Sequence, residues 1–160
     1  LKKGGSYSAA AVGEVNVVEA IRANNAVIGG EGDGGVIYPA SHCGRDAVGG
    51  TALFLTHLAA FGGRISELRA SYPNWYMSKD KLQLPDSDVD AALSKLVQAH
   101  PEADVNTIDG VKFDLAEGWV HLRKSNTEPI IRVYAEAESL EAANVLGSRF
   151  KEELLALLQH

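Results

Sequence analysis

The sequence predicts an α/β unit followed by an α+β unit, and three observations carry that prediction. Short apolar runs alternate with helical periodicity through the first half. The pattern changes near Trp75, after which strand-like segments follow one another with turn dipeptides between them. A last helix then lays one apolar face, Leu140, Leu146, Phe150, Leu154 and Leu157, over what precedes it.

In the first half, Tyr7 to Val12 reads as a strand end. Val15, Val18 and Ile21 recur at helical spacing and predict a helix over Glu14 to Asn24, closed by Asn24-Asn25. Ala26-Val27-Ile28 is a short apolar strand running into Gly29-Gly30, and Val36-Ile37-Tyr38 resumes extended chain until Pro39 stops it. Asp46 is an N-cap for a helix that runs to about Phe61 and ends at Gly62-Gly63. Its residues Val48, Leu53, Phe54, Leu55, Leu58 and Phe61 leave little polar face, which predicts burial on most sides. A turn of helix follows at Ser66 to Ala70, then Pro73.

In the second half, Lys79 to Leu84 reads as a strand and Pro85-Asp86-Ser87-Asp88 as a helix start, with Val89, Leu93, Leu96 and Val97 as the apolar stripe. Val105–Ile108, Val111–Leu115 and Trp119–Arg123 alternate as strands, joined by turns at Asp109-Gly110 and Glu117-Gly118. Ile130 to Ala135 is another strand, and Ser139 caps the last helix. The expected order is β-α-β-β-β-α, an antiparallel sheet with helices on one face. The boundary falls between Ser71 and Ser78, giving units over 1–74 and 75–160.

The chain has 160 residues, 46% of them hydrophobic and 22% charged, as a globular protein with a real core requires. A formal net charge of −6 argues against a nucleic-acid partner, which demands clustered Lys and Arg. It leaves room for a small pocket holding one phosphate. No apolar run approaches the roughly 20 residues of a membrane span, so no membrane partner is expected. The single cysteine excludes an internal disulfide; with no secretory signal visible, a cytoplasmic location is expected. The chain opens Leu1-Lys2-Lys3-Gly4-Gly5 without an initiator methionine, which predicts a piece of something longer.

Two loops carry candidate chemistry. Gly30-Glu31-Gly32-Asp33-Gly34-Gly35 formally matches a dinucleotide loop, but such a loop must open a helix, and Val36-Ile37-Tyr38-Pro39 do not make one. The loop instead offers two carboxylates, Glu31 and Asp33, on backbone that Gly32 and Gly34 let approach a ligand closely. Carboxylates at alternate positions suit the hydroxyl donors of a sugar. A plain hairpin turn with solvated acids is the bland alternative. A calcium loop is weaker, since two acids are too few oxygen ligands.

The second loop is Arg123-Lys124-Ser125-Asn126-Thr127-Glu128-Pro129, between two strands. The Arg123 guanidinium matches phosphate geometry, Ser125, Asn126 and Thr127 add hydroxyl and amide donors, and a tight turn can aim backbone N–H groups inward. Arg132, on the next strand, adds a second cation. Lys124 and Glu128 are expected to point outward. The alternative is a surface loop of ordinary turn residues. His42 and Cys43 are neighbours on extended chain and face opposite ways, so they do not pair as base and thiol. No metal spacing links them to Asp33.

Together the two loops resemble the α-D-phosphohexomutase family, which includes phosphoglucomutase, phosphomannomutase and phosphoglucosamine mutase. The resemblance runs along nearly the whole chain. Its strongest part is Arg123 to Pro129 followed by Ile131-Arg132-Val133-Tyr134-Ala135-Glu136, similar to the phosphate loop of the family's fourth domain. Gly29 to Gly35 is similar to the sugar loop of its third. The resemblance implies a partial third, sugar-recognition α/β domain over 1–74 and a whole fourth, phosphate-binding domain over 75–160. Glu31, Gly32, Asp33 and Gly34 would meet the sugar. Arg123, Ser125, Asn126, Thr127 and, less directly, Arg132 would hold the phosphate not being transferred. Asp33 stands where the family has Ser or Asn and cannot donate when ionised; Gly35 stands where many members have histidine.

In the family a phosphoserine of the first domain phosphorylates the sugar monophosphate. The bisphosphate then reorients and returns its other phosphate, and an aspartate-rich loop of the second domain holds Mg2+. Neither loop is in this sequence. The resemblance therefore implies the substrate-recognition half of a phosphohexomutase, inactive alone, with no cofactor of its own. Its partners would be a sugar phosphate and the amino-terminal domains of the same protein. The alternative is a stand-alone binding module for a phosphorylated sugar or other small phosphate.

Overall fold

The computed structural model describes residues 4–83, 88–125 and 127–159. The chain divides into two compact units, Leu1–Pro73 and Asn74–His160. Leu1, Lys2, Lys3, Leu84, Pro85, Asp86, Ser87 and Asn126, which figure in the sequence reading, lie outside the described residues, as does His160.

The first unit holds α1 (Glu14–Asn24), β1 (Gly29–Gly30), β2 (Val36–Ile37), α2 (Ala47–Phe61) and α3 (Ile65–Ala70). β1 and β2 form an antiparallel hairpin, Gly29 opposite Ile37 and Gly30 opposite Val36. Two expected strands fail here. Residues 7–12 have no regular structure, and 26–28 are not paired. The second failure has a visible cause. Asn25 turns left-handed at the end of α1 (φ 49°) and the Ala26 N–H still bonds the Ile21 carbonyl at 2.9 Å, so the chain is leaving the helix where a strand would begin. Pairing starts at Gly29, where a β-carbon would sit 2.5 Å from Ile21 Cδ1, so glycine lets the chain pack against α1 without displacing Ile21.

Asp46 caps α2 as its sequence demands, accepting the Gly49 N–H at 2.8 Å, and left-handed Gly62 ends the helix. The expected burial of α2 does not hold: none of its residues is buried, and Val48 is 82% exposed. Within this unit α2 touches β2 and α3, too little surface to cover a helix that is apolar all round. The buried apolar residues of the unit, among those described, are Ile21, Ile37 and Leu68.

The second unit runs β3 (Tyr76–Gln83), α4 (Val89–Ala99), β4 (Asp104–Asn106), β5 (Val111–Leu115), β6 (Gly118–Lys124), β7 (Ile130–Ala137) and α5 (Leu140–Leu158). The order is β-α-β-β-β-β-α: each of the five strands read from the sequence forms, so the shorthand β-α-β-β-β-α is one strand short of the segments it stood for. The sheet order is β3-β7-β6-β5-β4, antiparallel throughout. Alternation sets its two faces. Val111, Phe113, Val120, Leu122, Ile131 and Val133 point one way and are buried, while Lys112, Trp119, His121, Arg123, Arg132, Tyr134 and Glu136 point the other. α5 lies over β3, β7 and β6 on the apolar face, and α4 packs on α5. Phe150, Leu154 and Leu96 complete the core. Each such side chain contributes about 1.5–3 kcal/mol by leaving water. Asp88 and Ser139 cap α4 and α5 through the Ala91 and Ala142 N–H groups, at 3.0 and 3.1 Å.

Candidate functional site

The hairpin of the first unit carries residues 31–35 at its tip. The Glu31 N–H donates to the Gly35 carbonyl at 2.9 Å, the Gly34 N–H to the Glu31 carbonyl at 3.0 Å, and the Gly35 N–H to Asp33 Oδ1 at 3.1 Å. Asp33 thus closes the loop on itself while its side chain stays 63% exposed. The Glu31 side chain is 14% exposed, and the reason is Arg45, which the sequence reading passed over. Ile37 bridges to Arg45 across the chain, which brings the guanidinium under the loop.

Arg45 Nε donates to Glu31 Oε2 at 2.8 Å and its Nη2 bonds the same oxygen. The Nη2 also lies 3.7 Å from Asp33 Oδ2, and Nε 3.8 Å from Glu14 Oε2. Glu14 Oε1 accepts the Arg45 backbone N–H at 3.0 Å. The bond to Glu31 foremost raises the Arg45 pKa, so the group is a permanent cation. Both guanidinium bonds fall on Oε2, which leaves Oε1 to meet a further donor. The signal that marks Arg45 in the sequence is charge balance: three carboxylates, Glu14, Glu31 and Asp33, converge and need a cation.

The second unit builds its site on the open face of the sheet. Register places Arg123 of β6 directly opposite Arg132 of β7. Like charges directly opposite destabilise a sheet, so two facing guanidiniums need anions between or around them. Arg132 finds one in Glu128, its Nη2 donating to Oε2 at 2.7 Å. Glu128 was expected to point outward; the unbalanced cations turn it in. Arg132 also donates to Tyr134 Oη and Ser125 Oγ, each at 3.4 Å; its bond to Tyr134 foremost, and its pairing with Glu128, keep the Arg132 pKa raised. Lys124 reaches Asp90 at 2.7 Å.

Arg123 is served less well. Its side chain is 12% exposed, its Nε lies 4.0 Å from Asp109 Oδ2, beyond a hydrogen bond, and that Nε is buried without a hydrogen-bond partner. An unbonded buried guanidinium nitrogen costs about 1–3 kcal/mol or more. The β4–β5 turn presses it in place. Left-handed Gly110 (φ 69°) lies where a β-carbon would meet the Leu122 carbonyl at 2.3 Å and Arg123 Cβ at 2.6 Å. His121 Nε2 bonds the Asp109 carbonyl at 2.5 Å.

Beyond β6 the loop draws hydroxyls inward. The Ser125 N–H donates to the Ile130 carbonyl at 2.9 Å, and Ser125 Oγ stands 3.4 Å from both Thr127 Oγ1 and the Thr127 N–H. Arg123, Ser125, Thr127 and Arg132 therefore sit around one end of β6–β7; Asn126 lies outside the described residues. Two hollows of this unit, about 430 and 480 Å3, lie elsewhere, one lined by Asp88 and Leu157, the other by Asp90 and Gly110.

His42 Nε2 lies 3.9 Å from Asp46 Oδ2, His57 meets Tyr72 Oη at 2.8 Å, and Cys43 is a free, exposed thiol. Among the described residues no cluster of His, Cys, Asp and Glu could hold a metal ion. No helix among them is long and apolar enough to cross a membrane.

The first unit thus presents a hairpin carrying carboxylates, and the second an antiparallel sheet carrying opposed guanidiniums. Family models identify both units. The model for the phosphoglucomutase/phosphomannomutase alpha/beta/alpha domain III matches residues 1–76, and that for the C-terminal domain of the same enzymes matches residues 81–153. The chain belongs to the phosphoglucomutase/phosphomannomutase family.

It is 38% identical over 149 residues to a phosphoglucomutase/phosphomannomutase of Thermococcus kodakarensis, covering 90% of this chain and 32% of that protein. It is 37% identical over 150 residues to a probable phosphoglucosamine mutase of Methanopyrus kandleri, covering 92% and 33%. A crystal structure of a phosphoglucomutase/phosphomannomutase family protein from Burkholderia thailandensis superposes with a TM-score of 0.78 at 27% identity, over 98% of this chain and 34% of that one. The chain spans about a third of the length of the curated relatives it matches.

Proposed function

We propose that this chain is the substrate-recognition half of a phosphohexomutase that interconverts hexose 1-phosphate and 6-phosphate through a bisphosphate. The observation that carries the reading is the opposed pair Arg123 and Arg132, with Arg123 Nε buried and unbonded and Arg132 Nη2 3.4 Å from the Ser125 hydroxyl. A phosphate monoester brings a charge of about −1.5 to −2 at pH 7 and three acceptor oxygens. Placed there it accepts from Arg123 and Arg132 and from Ser125 and Thr127, with Asn126 as a further donor, and relieves the cross-strand repulsion.

Glu31 receives sugar hydroxyls on Oε1 while Arg45 holds Oε2. Gly32 and Gly34 keep the loop thin enough for the ring to approach, and Asp33 lines its exposed side. These groups bind and orient; they break no bond. The serine that carries the transferred phosphoryl group and the Mg2+ site belong to the rest of the parent enzyme.

A coupled assay with glucose 1-phosphate and with glucosamine 1-phosphate tests the division of labour. The isolated chain is expected to show no turnover, while a reading frame that adds the upstream two-thirds does turn over. Turnover by the chain alone would refute the proposal.

A further inference from the structure

The cross-strand row that holds the two arginines does not end at β7. Lys81 of β3 lies directly opposite Arg132, which lies directly opposite Arg123. Residues paired in this way share a face, with β-carbons about 5 Å apart. Lys81, Arg132 and Arg123 therefore form a line of three cations across three neighbouring strands on the open face. Two carboxylates serve it: Glu128 on Arg132, and Asp109 at 4.0 Å from Arg123.

Lys81 has no acidic partner among the described residues, whereas the other lysines along the sheet are engaged. Lys79 stands over the Tyr134 ring at 5.8 Å, Lys112 bonds Asp114, and Lys124 bonds Asp90. The neighbouring acid on β3 is spent as well. Asp80 points to the opposite face, bonded to Lys151 at 2.6 Å, and that bond foremost holds its pKa down. An unneutralised ammonium beside two guanidiniums, in a chain of net charge −6, is a standing repulsion unless an anion shares it.

We propose that Lys81 is a third cationic ligand of the anion site in the second unit, swinging on its four-carbon stem over Arg132 to the phosphate held by Arg123. The flexible point charge complements the fixed forks of the arginines. This inference rests on the phosphate reading of the Arg123 loop.

Titrating the full 160-residue chain with inorganic phosphate at pH 7.5, against chloride at matched ionic strength, tests it. The Arg123 Nε–H resonance reports occupancy. The wild type is expected to shift on phosphate and not on chloride. Lys81→Met is expected to weaken phosphate about fivefold, the upper range for an exposed ion pair, while Lys81→Arg and Lys79→Met stay within about twofold of the wild type. If Lys81→Met binds as the wild type does, or if Lys79→Met weakens binding as much, Lys81 is no ligand and the arginine site stands without it. If the wild type itself shows no shift, the phosphate reading falls and takes Lys81 with it.

Discussion

At the scale of single residues, the two loops owe their shape to arginines placed by pairing rather than by the loops themselves. Arg45 is the clearer case. It lies 14 residues beyond Glu31, outside any motif that names the loop, and reaches it through the Ile37 bridge. Replacing Arg45 with methionine leaves Glu14, Glu31 and Asp33 converging without a cation. Amide exchange at Glu31 and Gly35 is then expected to accelerate severalfold, with Arg45→Lys intermediate because an ammonium cannot fork onto the carboxylate. Unchanged protection in Arg45→Met would mean that the hairpin holds itself.

The sequence singled out Glu31, Ser125, Thr127, Arg123 and Arg132 as candidates, because their side-chain chemistry is local. It did not show that Lys81, Arg132 and Arg123 stand opposite one another, because that follows from register. Register depends on how many residues the 125–129 loop spends turning. Glu128 was misread for the same reason: its direction is set by a charge on the next strand.

At the scale of elements, capping and periodicity were the reliable guides. Asp46, Asp88 and Ser139 each accept an N–H three residues on, where helical starts were expected. Apolarity without a partner was the unreliable guide, since α2 reads as a core helix and yet has no buried residue.

The tie between the end of α4, the segment that follows it and α5 was not readable at all. His100, at the end of α4, places Nδ1 2.9 Å from Glu102 and Nε2 2.6 Å from Glu153 of α5, its ring stacked on Phe150 at 4.5 Å. With a carboxylate at each nitrogen, the imidazolium satisfies both contacts and the neutral ring one. Burial works against the charge, but the bonds to Glu102 and Glu153 outweigh it and raise the His100 pKa above 6.5. Arg149 stacks over Phe150 and pairs with Glu117, adding a cation nearby. A raised histidine binds its proton more tightly in the folded state. Its contribution is thus full below pH 6.5 and lost as pH rises through the folded value. Glu102, held down chiefly by its bond to His100, loses its share as pH falls below 4.5. Thermal melts from pH 5.5 to 8.5 are expected to show the second unit losing stability with rising pH. His100→Phe keeps the stack, costs on the order of 1 kcal/mol at pH 5.5, and flattens the slope. An equal slope in both proteins would assign the pH dependence elsewhere.

At the scale of the whole molecule, the two units are unequally consolidated. Among the described residues, the second has a continuous core of 15 buried apolar side chains, whereas the first has Ile21, Ile37 and Leu68. Stability follows buried area, so urea is expected to unfold the first unit well before the second, as two transitions rather than one. Far-UV circular dichroism, which sees α1, α2 and α3, should begin to fall at lower urea than tryptophan emission. Coincident curves would mean that the units unfold together. Both tryptophans lie in the second unit, and Trp119 is fixed there by its indole N–H on Glu136 at 2.9 Å. Tryptophan emission is therefore blind to the first unit, and a stability taken from it alone credits the entire polypeptide with the endurance of its better-built half.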